Sequence, residues 1–318
     1  MTSIWKTPAG GEAVRARYAQ FLAYWPQPCT QRRIATGQGE TFVIEGGRDA
    51  APAVVFLHGS ASNTLTWLRD AAVLGRHFKT YAVDMIGEPG LSAEARPPLA
   101  SGAYVEWLDE VLAGLGVERC ALVGISLGGW LALAYATERP QRVSALALLC
   151  PGGVGGHRNV LLWAAPLLLL GGWGRGRFMR IVGAPQPGGE ASAAMQAFAA
   201  FQADIHKHFR VRRERLPRFS DAALGRLTMP VLAIVGGRDA FIDSAGTRRR
   251  LAAQVPQADV RWLPEASHFL MGHTAEIEAF LTQAVPSRTG SCTRWPAGGS
   301  SSAPRRAPAW RTIARSPI

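Results

Sequence analysis

The fold is decided by residues 120–136, which read CALVGISLGGWLALAYA. The apolar residues that open this stretch are typical of a buried parallel strand, and those that close it favour a helix that Pro140 ends. Ser126 stands between the two, flanked by Gly124 and Gly128. Glycine allows a sharp strand-to-helix corner there, because a side chain would collide with the neighbouring strand or helix. The pattern predicts a nucleophile elbow, with the serine hydroxyl above the edge of a sheet.

A serine nucleophile needs partners elsewhere in the chain. Its hydroxyl is weakly nucleophilic at neutral pH, so it requires a base and a group that orients the base. His268, after the apolar run 258–263, is the candidate base. Asp239, directly after the run 231–235, is the candidate acid, and Asp243, four residues later, is the alternative. The chain order Ser, Asp, His is the one that accompanies an elbow of this type.

Two backbone N–H groups are candidate donors to the oxyanion that forms on a substrate carbonyl. One belongs to Leu127, after the elbow serine, and the other to Ser60, in the loop after an early strand. Gly59 lets that loop turn tightly toward the serine. His58 lies in the same turn, so we expect it to hold the loop rather than act as the base. Asp84, which follows another strand, is expected to stabilise its own loop.

Composition and the distribution of charge indicate a soluble globular protein that does not bind nucleic acid. The chain has 318 residues, 47 % of them hydrophobic, as in a soluble globular protein with one large or two small cores. The net charge is +12, but residues 287–318 hold six arginines and no acidic residue. The remaining arginines are scattered, with no basic stripe interleaved with aromatic residues. We therefore expect no nucleic-acid partner.

The cysteines and histidines give no sign of a metal site. The four cysteines are widely spaced, which favours reduced structural thiols in a cytoplasmic protein. His206 and His208 form a His-x-His pair, but three arginines follow closely, so the pair is typical of a solvated basic helix. The N-terminus lacks the basic patch and apolar run of a signal peptide.

Strand-like and helical patterns alternate along most of the chain. The predicted strands lie at 42–45, 53–57, 80–83, 120–123, 144–149, 231–235 and 258–263, and the predicted helices at 65–75, 103–115, 127–138, 245–254 and 274–284. This alternation indicates βαβ units and a mostly parallel sheet with its chemistry at the carboxyl ends of the strands.

Two segments depart from the alternation. An apolar run near Pro166 is only about eleven residues long, whereas a membrane span needs about 20, so no stable insertion into a membrane is expected. We expect residues 151–225 to form a helical cap, with a membrane-associating surface as the alternative. Residues 286–318 are rich in Ser, Gly, Pro and Arg and are expected to be a disordered basic tail. Residues 1–150 and 226–285 then form the core.

The chain resembles the serine hydrolases of the α/β-hydrolase fold, and among them bacterial carboxylesterases of the naproxen-esterase type. The resemblance covers roughly residues 3–285. The matching stretches are His58-Gly59-Ser60, residues 83–90 (VDMIGEPG), residues 124–129 (GISLGG), Met229-Pro230, residues 236–239 (GGRD) and residues 267–270 (SHFL).

This resemblance implies a fold and an activity. The fold is an α/β-hydrolase fold, a mostly parallel eight-stranded sheet flanked by helices, with a helical cap inserted between strands six and seven. The activity is hydrolysis of a small-molecule ester through an acyl-enzyme, without a cofactor. The apolar cap residues Trp163, Trp173 and Phe178 suggest an apolar group on the substrate, with the core of the cap itself as the alternative role. Ser267 departs from the family, because many relatives have glycine before the histidine.

Other activities remain open at this level. A serine at position 126 argues against haloalkane dehalogenases and epoxide hydrolases of this fold, which use aspartate there. A lactonase, a C–C bond hydrolase or an acyltransferase could use the same three residues. A ligand-binding member without catalysis is the alternative from another class, and the complete set Ser126, Asp239 and His268 speaks against it.

Overall fold

The computed structural model describes residues 3–26, 28–160, 166–167, 169–181, 193–270 and 272–285. Its framework is an eight-stranded sheet with strand order β1-β2-β4-β3-β5-β6-β7-β8. The strands are β1 (Cys29–Ile34), β2 (Thr41–Gly47), β3 (Ala53–Leu57), β4 (Lys79–Val83), β5 (Cys120–Ile125), β6 (Val143–Leu149), β7 (Val231–Gly236) and β8 (Ala258–Leu263). The β1–β2 and β2–β4 pairs are antiparallel, and all the other pairs are parallel.

Helices cover both faces of this sheet. The α-helices among the described residues are α1 (Pro8–Leu22), α2 (Leu68–Leu74), α3 (Ala103–Gly114), α4 (Leu127–Glu138), α5 (Gly171–Ile181), α6 (Ala193–His208), α7 (Asp221–Leu224), α8 (Ser244–Gln254) and α9 (Thr274–Ala284). Each of the seven predicted strands and five predicted helices corresponds to an element of the structure, which confirms those predictions. The mostly parallel α/β architecture is confirmed as well.

Two hydrophobic clusters form the core, one on each face of the sheet. Val55 and Leu57 of β3 belong to the cluster that contains side chains of α3, α4 and α8. Val54 and Phe56 of the same strand belong to the cluster that contains side chains of α1, α2, α6 and α9. This alternation follows from the pleat of a strand, which sends successive side chains to opposite faces. Burial on both faces explains the nearly continuous apolar sequence of the central strands.

Two elements were not predicted from the sequence. Strand β1 reads CTQRRI and is mostly exposed at the edge of the sheet, so it lacks an apolar signal. Helix α1 contains Gly10-Gly11, which lowers its intrinsic helix propensity. Its N-terminus is nevertheless well defined, because the Thr7 side chain accepts the Gly10 N–H and Pro8 occupies the first turn.

The connection between β6 and β7 contains α5, α6 and α7. Helix α6 packs beside α1, where Phe201 stacks on Tyr18 with ring centroids 6.2 Å apart. The predicted cap, residues 151–225, includes positions 161–165, 168 and 182–192, which lie outside the described residues, as does the predicted tail, 286–318. Among the helices that the structure describes, none has the length and hydropathy needed to cross a membrane.

Candidate active site

Ser126 occupies the corner between β5 and α4. Its φ is +53° and its ψ is −109°, a strained conformation for a residue with a side chain, and its N–H donates to the Leu149 carbonyl at 3.0 Å. The flanking glycines make the corner possible: a Cβ on Gly124 would lie 2.5 Å from the Gly128 carbonyl oxygen. A Cβ on Gly128 would lie under 3.0 Å from the carbonyl oxygen of Leu57. The structure therefore has the strand-turn-helix corner that the sequence predicted.

His268 and Asp239 meet Ser126 at the carboxyl edge of the sheet. His268 Nε2 lies 3.0 Å from the Ser126 Oγ, and His268 Nδ1 lies 2.7 Å from the Asp239 Oδ2. A carboxylate can only accept hydrogen bonds, so Nδ1 carries a proton and Nε2 is left to accept one from the serine hydroxyl. This tautomer is the one that a general base next to serine requires.

Asp239 is fixed by its own loop. It is completely buried, and its Oδ1 accepts the backbone N–H groups of Phe241 at 2.8 Å and Ile242 at 2.9 Å. These two hydrogen bonds leave Oδ2 directed at His268. Asp243, the alternative acid, instead caps helix α8, where its Oδ1 accepts the Gly246 N–H at 2.9 Å. The structure thus brings Asp239, and not Asp243, to the histidine.

Cys150 lies beside this pair. Its Sγ is 3.3 Å from the His268 carbonyl oxygen, and burial, reinforced by the nearby Asp239, raises the pKa of its thiol well above the usual value. Ligand atoms of Cys150, Asp239 and His268 lie within 4.8 Å of one another, close enough to test as a metal site. A protonated thiol is a poor metal ligand, and the Nδ1 of His268 is already hydrogen-bonded to the Asp239 carboxylate. These three groups therefore suit proton transfer better than metal binding.

Of the two residues predicted to supply oxyanion donors, Leu127 follows Ser126 directly and Ser60 lies in a loop that approaches it. Leu127 is the first residue of α4, and the first N–H groups of a helix have no partner within the helix. A Cβ built on Gly59 would lie 3.7 Å from the Ser126 Cβ, which places the loop that contains Ser60 beside the serine. Residues 59–61, called the oxyanion loop below, end at Ala61, which has a φ of +54°.

His58 holds this loop, as expected. Its Nε2 accepts the Met85 N–H at 2.9 Å, so Nδ1 carries the proton and donates to the Gly59 carbonyl at 2.8 Å. Burial lowers the pKa of His58 to about 4, which keeps the ring neutral at ordinary pH. With both nitrogens engaged, this histidine is not available as the base.

Asp84 stabilises its own loop in the same way. It is buried, and its Oδ1 accepts from the Thr64 N–H at 2.9 Å and the Tyr18 hydroxyl at 3.0 Å. Its Oδ2 accepts the Leu91 N–H at 2.8 Å. Burial raises the pKa of Asp84 to about 6. The carboxylate joins three segments of chain and has the structural role that the sequence suggested.

Sequence reasoning missed Glu88, a second buried carboxylate in this loop. Its Oε2 accepts the Ala61 N–H at 2.6 Å, and burial raises its pKa to about 7, although Arg96 and Arg212 act in the opposite direction. The available signal was a second acidic residue, after Asp84, within the otherwise apolar and glycine-rich stretch VDMIGEPGL.

Comparison with known proteins identifies the family of this chain. The model of a family described as "Alpha/beta hydrolase family" matches residues 54–280, which is well over half of the chain. The chain belongs to this family. The expected resemblance to bacterial carboxylesterases is also confirmed by the individual relatives.

Three relatives illustrate the match. Carboxylesterase YbfK of Bacillus subtilis (strain 168) is 26 % identical over 257 residues, which cover 80 % of this chain and 86 % of that protein. The "uncharacterized carboxylesterase nap" of the same organism is 34 % identical over 134 residues, 42 % of this chain and 45 % of that protein. The crystal structure of naproxen esterase from Bacillus subtilis superimposes with a TM-score of 0.72 at 24 % identity, over 87 % of this chain and 99 % of that one, which establishes the shared fold.

Proposed function

We propose that this protein hydrolyses carboxylic esters through an acyl-enzyme on Ser126. The observation that carries the proposal is the unbroken pair of hydrogen bonds from Asp239 through His268 to Ser126, at 2.7 and 3.0 Å. The carboxylesterases YbfK and nap support the same class of reaction.

In the first half of the reaction, His268 removes the proton of the Ser126 hydroxyl as the oxygen attacks the ester carbonyl carbon. Asp239 keeps the imidazole in the productive tautomer and stabilises the imidazolium that forms. The N–H groups of Leu127 and Ser60 receive the oxyanion, and each such donor contributes about 3–4 kcal/mol in comparable sites. His268 then gives its proton to the leaving alcohol, which departs as the acyl-enzyme forms.

The second half reverses these roles with water. His268 takes a proton from a water molecule, whose oxygen attacks the acyl carbon, and the same two donors receive the second oxyanion. The proton then returns to the Ser126 oxygen, the acid is released, and the enzyme is restored. The scheme assigns no role to a metal or a cofactor.

We further propose a small ester with an apolar group as the substrate. Of the three aromatic residues predicted to lie in the cap, Trp163 lies outside the described residues, Trp173 is 66 % exposed and Phe178 is partly buried. Among the described residues, Phe241 and Phe269 provide apolar surface beside His268, with their rings 5.1 and 6.1 Å from the His268 ring. Free thiols at the three described cysteines are consistent with a cytoplasmic location.

A fluorophosphonate probe tests the proposal directly. The wild-type protein should be labelled at Ser126, should hydrolyse p-nitrophenyl acetate and butyrate, and should release p-nitrophenol in a burst if deacylation is the slower step. Ser126→Ala should lose labelling and about 10⁶-fold in kcat, as other enzymes do when the nucleophile is removed. Ser101→Ala, at an exposed serine, is the control and should behave as wild type.

Other outcomes would separate the alternatives. A protein that is not labelled and does not turn over esters is a binding member of the fold, and the proposal fails. Labelling at Ser126 with preferred turnover of lactones, or transfer to an added alcohol, keeps the triad and changes the substrate class. Retained hydrolysis in Ser126→Ala places the nucleophile elsewhere.

A further inference from the structure

The oxyanion loop has an unusual backbone. Ala61 has a φ of +54°, in the left-handed region that residues with a side chain rarely adopt. Such a conformation persists only where surrounding contacts hold it in place. The peptide that follows Ser60 must therefore be anchored from outside the loop if the backbone of Ser60 is to keep one orientation.

Glu88 provides that anchor. It is 1 % exposed, and one carboxylate oxygen, Oε2, accepts the Ala61 N–H at 2.6 Å and lies 3.5 Å from the Ser60 hydroxyl. The other oxygen, Oε1, is buried and has no hydrogen-bond partner among the described residues. The hydrogen bonds of this carboxylate are thus directed entirely at the oxyanion loop.

The segment that carries Glu88 is itself held against the residues on either side of the oxyanion loop. The Met85 N–H donates to His58 Nε2 at 2.9 Å, the Asn63 side-chain amide donates to the Pro89 carbonyl at 3.0 Å, and Asp84 accepts the Thr64 N–H at 2.9 Å. These contacts lie on both sides of Glu88 in sequence. Its carboxylate is therefore a fixed point against which the loop can be oriented.

We propose that Glu88 is a positioning residue for ester hydrolysis: it holds Ala61 in its left-handed conformation, and so aims the Ser60 N–H at the oxyanion. The inference rests on the function proposed above. It concerns only the second oxyanion donor, because Leu127 is oriented independently by helix α4. Glu88 touches neither the reacting serine nor the substrate carbonyl in this scheme.

A buried negative charge near an oxyanion would oppose catalysis unless it were offset. Two guanidinium groups act on Glu88 electrostatically, those of Arg96 and Arg212. Arg96 is held by the Gly87 carbonyl at 2.8 Å, and Arg212 is held by the Tyr104 hydroxyl and by Glu214 at 2.8 Å. Among the described ion pairs neither contacts Glu88 directly, so the arginines offset its charge without competing for Oε2.

Two substitutions of equal length test whether the acceptor at position 88 is what matters. Glu88→Gln keeps an oxygen that can accept the Ala61 N–H, whereas Glu88→Met fills similar space without an acceptor oxygen. Glu94→Met is the matched control, because Glu94 also accepts a serine hydroxyl, from Ser3 at 2.8 Å, and a backbone N–H, from Ile4 at 3.2 Å. The assay is kcat and KM for p-nitrophenyl butyrate, with the Tm of each variant.

Glu88→Met should lose 10- to 100-fold in kcat with KM within about threefold, because oxyanion donors act mainly in the transition state. Glu88→Gln should recover kcat to within about tenfold of wild type, and Glu94→Met should keep it. Wild-type kcat in Glu88→Met, an equal loss in Glu94→Met, or a change confined to KM would overturn the inference.

Two further results keep the test decisive. Should Glu88→Met fail to fold, Glu88→Gln carries the decision, and a loss of more than 100-fold in its kcat contradicts a role based on the acceptor oxygen. The failure of the proposed function looks different: Ser126→Ala would then retain hydrolysis, whereas failure of this inference alone leaves Ser126→Ala inactive and Glu88→Met fully active.

Discussion

Replacing Asp239 with asparagine should inactivate the enzyme with little change to its structure. The two oxygens of Asp239 have separate duties: Oδ1 accepts the N–H groups of Phe241 and Ile242, and Oδ2 accepts from His268. Asparagine has one acceptor oxygen and one donor NH₂ group. If its oxygen faced His268, the NH₂ group would meet two backbone N–H donors in a fully buried site.

The favourable placement therefore leaves the oxygen on Phe241 and Ile242 and turns the NH₂ group toward His268. A donor at that position, 2.7 Å from Nδ1 in the native geometry, forces Nδ1 to accept and puts the ring proton on Nε2. Nε2 then points a proton at the Ser126 oxygen and cannot act as a base. The expected loss in kcat is roughly 10⁴-fold, equivalent to about 5.5 kcal/mol of transition-state stabilisation.

The assay compares kcat for p-nitrophenyl butyrate in Asp239→Asn and Asp243→Asn. Asp243→Asn should stay within about threefold of wild type, since asparagine caps helices as well as aspartate and can still accept the Gly246 N–H at the start of α8. A kcat in Asp239→Asn above about a tenth of wild type would refute the tautomer argument. A larger loss of kcat in Asp243→Asn than in Asp239→Asn would show that Asp243 is the acid that orients His268.

Three further predictions concern stability. Gly128→Ala should lower the Tm sharply or prevent folding, because the added Cβ would collide with the Leu57 backbone. Gly156→Ala is the control and should leave the Tm unchanged, because the space around its Cβ is open. Equal Tm values for the two variants would contradict this prediction. Burial raises the pKa of Glu88 from 4.5 to about 7, so the folded state binds the Glu88 proton more tightly than the unfolded state does. The free energy of unfolding of the wild type should therefore fall relative to that of Glu88→Gln, by on the order of 3 kcal/mol, as pH rises from 4.5 through 7. Denaturant titrations at pH 4.5 and 8 measure this, and a constant difference would count against it. A chain that ends at Val285 should keep the Tm and turnover of the full chain, because all eight strands precede that residue; a clear drop in Tm would show that residues 286–318 pack on the core.

The sequence predicted the parallel core more completely than the edges. Strands that are buried on both faces consist almost wholly of apolar residues, and a helix such as α4 that is apolar all round is equally easy to recognise. Strand β1 was not predicted, because an exposed edge strand buries no face and its sequence need not be apolar. Helix α1 was not predicted, because its stability comes from contacts with α6, about 180 residues further along the chain, rather than from its own helix propensity.

For the site, local pattern and topology gave different parts of the answer. The elbow at Ser126 depends on a few neighbouring residues, so the sequence alone predicted it. The chain order Ser, Asp, His left few candidates for the residues that act with Ser126. Polar residues that follow parallel strands lie together at one edge of the sheet, so these candidates were expected to lie near the serine. Glu88 carried no such pattern, and its contact with Ala61 joins loops 27 residues apart.

By itself, then, the sequence determined the strand-turn-helix corner, the parallel sheet and the strand ends from which the three residues project, since each depends on local hydrophobic period and on glycine. Only the tertiary structure decided that Asp239 rather than Asp243 meets His268, and that a ring 142 residues from Ser126 lies 3.0 Å from its oxygen. It also decided that Glu88 is buried against the oxyanion loop. Hydrogen bonds act over about 3 Å, and only the folded sheet fixes distant side chains to that tolerance.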